Sequence, residues 1–199
     1  MERKLIIAGI GGQGVIFVTK VLSQAALTRG ESVMASENHG MSQRGGSVMS
    51  YVKIGGSEAP LIRRGTADAL VAFDPVEAIR NLPFMRAGGI VCVNSPNDLE
   101  PAVMPRLKQL CISVHILNAD ACAKELGVPA AANLIVLGFA AAHNALGLTL
   151  EDLKGAVQTL GPAKAVEMNV KALGVGARRA ALTPGPSPAQ NDTEQERGE

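Results

Sequence analysis

Large aromatic side chains are nearly missing from this chain, with no Trp, one Tyr and four Phe among 199 residues. Its core must therefore be aliphatic, and hydrophobic residues at 47% against 19% charged supply enough material for one domain. Cysteine is scarce as well. Cys92, Cys111 and Cys122 contain no C-x-x-C pair, which excludes a cysteine-rich zinc or iron–sulfur site. All three are expected to be buried free thiols of a protein in a reducing cytosol. The net charge of +1 gives no electrostatic footprint for nucleic acid. Acids gather after residue 182 (Asp192, Glu194, Glu196 and Glu199), so the body is mildly basic. No run of about 20 apolar residues exists, so no membrane span is expected. The apolar run after Lys4 breaks at once into glycine, too short for a secretion signal. A cytoplasmic protein is expected.

What is present reads as alternating strands and helices. Leu5 to Ile10 is an apolar run ending in glycines, the look of a buried parallel strand. Val15, Val18, Leu22, Ala25 and Ala26 then recur at helical spacing, and Gly30 supplies a stop. Ser32 to Ser36 reads as a second strand. Ser47 to Gly55 alternates with period two and reads as an antiparallel addition to the sheet. Further strands are expected at Ala69 to Phe73, Gly89 to Val93 and Ser113 to Leu117. Asp74, Pro75 and Glu77 mark a helix start, as does Asn118-Ala119-Asp120. Ala130 to Leu146 is apolar on almost every side and should be buried, either in the domain or in a subunit interface. Thr149 with Asp152 caps a helix through Leu160, and Pro162 starts another ending near Ala180. The expected fold is α/β: three layers, α/β/α, with a mainly parallel sheet, Rossmann-like, and a helical C-terminal third. Residues 1–182 form one domain. Residues 183–199, rich in proline and polar groups, are expected to be a disordered tail.

Two segments could carry chemistry. Gly9, Gly11 and Gly14 fit G-x-G-x-x-G between a strand and a helix, with Gly12 and Gln13 inside the turn. Such a turn either brings a phosphate to a helix N-terminus or allows close strand–helix packing. Glu37 stands where a ribose-binding acid would sit. The second segment, Glu37 to Gly46, is polar and glycine-rich. It places His39, Gln43 and Arg44 beside Gly45, Gly46 and Ser47. If the second strand runs parallel to the first, this loop lies beside the glycine turn, and Arg44 can pair with a phosphate or carboxylate. The bland alternative is a solvated hairpin connection. Asp74 is expected to be a helix cap, His115 and His143 to be satisfied structural residues, and Asn133 to face the crevice or a partner subunit. No G-D-G with a following Asn pair, no Walker lysine and no nucleophile elbow occur. The chain offers a ligand crevice without a self-sufficient catalytic set.

GIGGQGVIFVTKVLSQAAL followed by SENHGMSQRGGSVMSYVKIG resembles the γ-type component of 2-oxoacid:ferredoxin oxidoreductases. E-x-H-G-M-x-Q-R-G-G-S-V is most similar to the β subunit of the indolepyruvate branch. The resemblance covers about residues 4 to 180 and rests on Gly9 to Gly14, Glu37 to Val48 and the helix beginning near Asn133. It implies a subunit, inactive alone, of a complex that oxidatively decarboxylates arylpyruvates such as indolepyruvate to acyl-CoA and reduces ferredoxin. It also implies that thiamine diphosphate, Mg²⁺ and 4Fe–4S clusters lie on a large α subunit. This chain would bind no cofactor alone; coenzyme A would enter a shared site at Gly9, Gly11, Gly12, Gln13, Gly14, His39, Gln43, Arg44, Gly45, Gly46 and Ser47. The competing readings are an independent NAD-type protein and a binding module that pairs with itself through residues 130–146.

Overall fold

The computed structural model describes residues 2–39, 45–56, 59–161 and 163–182, with the side chains of His39 and Ala163 left aside. The proposed tail lies outside these residues. Among the described residues, six strands form one sheet: β1 (Arg3–Ile10), β2 (Val33–His39), β3 (Ser47–Ile54), β4 (Ala67–Ala72), β5 (Met85–Asn94) and β6 (Ser113–Leu117). Their spatial order is β2-β3-β1-β4-β5-β6. Strands β1, β4, β5 and β6 run parallel, and β3 is antiparallel to both its neighbours. It follows that β2 runs in the same direction as β1, with β3 between them. The antiparallel addition expected from the sequence is therefore present, and it lies inside the sheet, between β2 and β1.

Among the described residues, seven α-helices flank it: α1 (Val15–Thr28), α2 (Pro75–Asn81), α3 (Met104–Gln109), α4 (Ala119–Glu125), α5 (Ala132–Ala142), α6 (Leu150–Leu160) and α7 (Ala163–Ala180). The period of two along β1 sends Leu5 and Ile7 to one face and Ile6 and Ala8 to the other. The first face packs under α1, α4, α5, α6 and α7. The second packs under the shorter α2 and α3, through Ala78 and Leu107. Both faces are covered, so the central parallel strands read as continuous apolar runs. This is the mainly parallel three-layer α/β fold expected.

Four expectations need correction. The apolar segment 130–146 is a shorter helix, α5, entered by a 3-10 turn at Pro129–Ala131 and ended near Asn144, whose φ is 56°. Its residues Leu134 to Ala141 are buried inside the domain, so it offers no free face for self-pairing. Helix α7 covers it at glycine contacts: a β-carbon on Gly138 would collide with the Leu173 carbonyl, and one on Gly176 with the Ile135 carbonyl. Second, β2 extends through Glu37, Asn38 and His39, which pair with Ser50, Met49 and Val48. Pairing with β3 overrides the loop-like composition of those residues. Third, Cys111 is exposed, in a left-handed turn at φ 52°, whereas Cys92 and Cys122 are buried. Finally, α3 was not foreseen, because its six residues are too few to show a period.

Candidate functional site

The end of β1 and the start of α1 are joined by a tight turn that the sequence builds from glycine. Gly12 and Gly14 have φ of 100° and 81°, where a side chain is strained. The Gln13 N–H donates to the Ile10 carbonyl at 3.0 Å. Its side chain folds back: Oε1 accepts the Ile10 N–H at 2.7 Å, and Nε2 donates to the Phe73 carbonyl at 3.2 Å. Phe73 is the first residue beyond β4. Gln13 therefore bridges the ends of β1 and β4, where one strand's connection leaves toward α1 and the other's toward α2. That is the switch point of a doubly wound sheet. A β-carbon on Gly9 would lie 2.8 Å from Gln13 Oε1, so Gly9 makes room for the bridge.

Gly14 caps α1 with no side-chain hydrogen bond, and α1 has no acid in its first turn. Asn133, near the start of α5, donates from Nδ2 to the Gln13 carbonyl at 3.1 Å. It thus faces the crevice, one of the two places expected for it. On the opposite side of the turn, the Gly11 N–H donates to the Gly46 carbonyl at 2.8 Å. The glycine turn and the return of the hairpin therefore meet at one edge. Gly45 (φ 70°) and Ser47 adjoin this contact. Ser47 Oγ donates to Glu77 Oε2 at 2.6 Å.

Of the eleven residues singled out, Gly9, Gly11, Gly12, Gln13, Gly14, Gly45, Gly46 and Ser47 come together here. His39 ends β2 opposite Val48, which places its backbone at the same edge. Gln43 and Arg44 lie outside the described residues. The side chains of Gln13 and Ser47, and the N–H groups of Gly11 and Gln13, already make internal hydrogen bonds, so any direct role in holding a ligand falls first on the backbone of Gly12 and Gly14.

Among the described residues, cavities open on both sides of the turn. One, of about 470 Å³, is lined by Gly11, Gly12, Gly14, Val15, Phe17, Lys20 and other residues of β1, α1 and β3. Its walls are largely apolar, while the Lys20 ammonium and the uncapped N-terminus of α1 give it a positive bias. The other, of about 200 Å³, lies between Gly12, Gln13, Asn94, Asp120 and Asn133. Asn94 is buried there: its amide donates to the Phe73 carbonyl at 3.2 Å and to Asp120 at 2.9 Å, and its oxygen accepts the Ala119 N–H at 2.8 Å. Sequence reasoning missed Asn94 and Asp120. The available signal was that each sits at the exit of a predicted strand.

Asp74 is the expected cap of α2, accepting the Val76 and Glu77 N–H groups at 2.8 and 3.1 Å. The two histidines are less settled than expected. His115 on β6 and His143 beyond α5 stack with ring centroids 3.7 Å apart. His143 Nε2 is buried with no hydrogen-bond partner among the described residues. Burial, followed by the neighbouring His143, lowers the His115 pKa to about 4, and burial also lowers that of His143. Both rings are therefore neutral at pH 7. Among the described residues, no three or more His, Cys, Asp or Glu side chains are grouped to hold a metal ion, and no helix is long and apolar enough to cross a membrane.

Glu37 does not occupy the place of a ribose-binding acid. It lies on β2, and β3 separates that strand from β1. Two strand spacings, about 9–10 Å, replace the single spacing of a dinucleotide fold.

The family model described as pyruvate ferredoxin/flavodoxin oxidoreductase matches residues 4–179. The chain belongs to this family. It is 31% identical over 193 residues to the indolepyruvate oxidoreductase subunit IorB of Archaeoglobus fulgidus, covering 90% of this chain and 96% of that one. It is 34% identical over 179 residues to the ketoisovalerate oxidoreductase subunit VorA of Methanothermobacter marburgensis, covering 88% of this chain but 36% of that one. The same unit thus forms about a third of a longer polypeptide there. Among solved structures, the gamma subunit of a keto/oxoacid ferredoxin oxidoreductase from Geobacter sulfurreducens superimposes with a TM-score of 0.74 at 26% identity, covering 91% of this chain and 99% of that one. The protein is an accessory subunit of a 2-oxoacid:ferredoxin oxidoreductase, within the oxidoreductases that act on an oxo group.

Proposed function

We propose that this chain serves an arylpyruvate-oxidising complex of the indolepyruvate type, as the domain that closes over a catalytic centre carried by a larger partner. The supporting observation is the Gly11–Gly46 hydrogen bond of 2.8 Å, which joins the glycine turn to the hairpin at the carboxyl edge of the sheet. That edge is where ligands of open α/β sheets enter. In this reading the backbone N–H groups of Gly12 and Gly14, together with Lys20, receive the phosphates of coenzyme A, while Val15, Phe17 and Val48 pack against its uncharged arm. By their place in the motif, His39, Gln43 and Arg44 are assigned to the same ligand.

Thiamine diphosphate with Mg²⁺ and 4Fe–4S clusters belong to the partner in this proposal, which fits a sequence without a thiamine signature or paired cysteines. Bound there, thiamine diphosphate supplies the electron sink for decarboxylation, and the clusters pass electrons to ferredoxin. This chain orients the acyl acceptor and excludes water. The reading places it in the cytoplasm, inactive alone.

A second reading is favoured by the apolar walls of the larger cavity: a segment of the partner, rather than coenzyme A, fills it. The two are separated by co-expressing the chain with its large subunit and measuring coenzyme A-dependent ferredoxin reduction across several 2-oxoacids. Arg44→Ala is expected to raise the coenzyme A concentration needed for half-maximal rate. An unchanged requirement would refute the coenzyme A site. A preference for a small aliphatic 2-oxoacid would refute the indolepyruvate assignment.

A further inference from the structure

We propose that Glu77 is a positioning residue for the glycine-turn site and acts through Ser47. Glu77 sits in the first turn of α2, yet it is only 3% exposed. A carboxylate withdrawn from water is costly unless its oxygens are satisfied. An acid at this point of a helix ordinarily reaches back to the cap. Here the cap works through the Glu77 backbone, whose N–H donates to Asp74. The carboxylate is turned elsewhere: Oε2 accepts from Ser47 Oγ at 2.6 Å, and Oε1 accepts from the half-exposed Arg80 guanidinium.

Ser47 is the first residue of β3, opposite Ile10 at the end of β1. It follows directly on Gly46, whose carbonyl holds the Gly11 N–H. A continuous connection therefore runs from Glu77 through Ser47 and Gly46 to Gly11, tying α2 to the turn that ends β1. An apolar contact would keep α2 on the sheet without fixing the hairpin along the strand direction. A short charge-assisted hydrogen bond fixes one atom. Arg80 neutralises the charge from the solvent side.

The kinetic consequence rests on the reading of the glycine turn as a coenzyme A site; the tether itself does not. The test uses the complex with the co-expressed large subunit and the variants Ser47→Ala, Ser47→Thr and Lys154→Ala. Amide hydrogen exchange is followed at Gly11, and KM for coenzyme A is measured separately from kcat. Ser47→Ala is expected to speed Gly11 exchange roughly tenfold, the scale for losing a hydrogen bond to a charged group. It should raise KM by a similar factor with kcat within about twofold. Ser47→Thr, which keeps the hydroxyl, should restore both, and Lys154→Ala, on α6 and paired with Glu151 away from the tether, should leave both unchanged. Wild-type Gly11 exchange in Ser47→Ala, with at most a lower melting temperature, would overturn the proposal. Faster exchange with an unchanged KM would uphold the tether and overturn the coenzyme A reading instead.

Discussion

The carboxamide of Asn133 occupies the space that a β-carbon on Gly14 would need. Two residues far apart in sequence are thus fitted to each other around one left-handed backbone position, with the Gln13 carbonyl as the shared anchor. Gly14→Ala introduces both a strained φ and a collision. It is expected to cost about 2–3 kcal/mol. Asn133→Ala removes the collision but leaves a carbonyl unpaired. The double variant should therefore be less destabilised than the sum of the singles. Chemical denaturation of the four proteins of this cycle checks the prediction, and strict additivity would contradict the packing relationship.

The α5–α7 crossing makes a harsher prediction. Gly138 and Gly176 each face backbone of the opposite helix, which cannot rotate aside. Either glycine changed to Ala should lower stability by about 3 kcal/mol or more. Gly155 on α6, with open space where a β-carbon would point, should tolerate Ala with a slight gain in helix propensity. Melting temperatures of the three variants decide the matter.

The stacked histidines set a pH dependence. In the unfolded chain each binds a proton near pH 6.5; in the folded chain His115 does so only near pH 4. Between those values the unfolded state holds more protons, so stability falls as pH drops from about 6.5 toward 4. The loss should be on the order of 1–3 kcal/mol. His115→Phe should flatten this part of the curve. Urea midpoints at a series of pH values provide the check, and an unchanged slope in the variant would contradict the assignment.

Thiol chemistry separates the three cysteines. Burial pushes the Cys92 and Cys122 thiols up, away from the reactive thiolate, while Cys111 is exposed. A disulfide reagent at pH 8 should label Cys111 rapidly in the folded protein and the other two only on unfolding. Two or more thiols reacting at one fast rate would be inconsistent with this structure.

Much of the fold was legible because its signals are local. The apolar run Leu5 to Ile10, the Asp74-Pro75 cap and the Thr149–Asp152 capping box each depend on neighbours a few residues away, and each stands where expected. The place of β3 was not legible. Its alternation announces a strand, but whether that strand pairs at the rim or between β1 and β2 depends on long-range contacts. The site divided in the same way. The glycines at 9, 11, 12 and 14 reveal a turn through their backbone requirements. That Gln13 and Ser47 would turn inward, to Phe73 and Glu77, depends on partners 60 and 30 residues away. Asn94 was missed because a single polar residue leaving a strand has no pattern of its own, and Asp120 was read only as part of a helix start.

Because α7 lies over α5, the unit finishes its own interior without borrowing a wall from a neighbour. Such a module keeps its shape whether it is tethered by a peptide bond, as a third of a longer chain, or made as a free-standing polypeptide. Its attachment to the rest of the machine can then be rewired by gene fusion or fission while the working edge is left untouched.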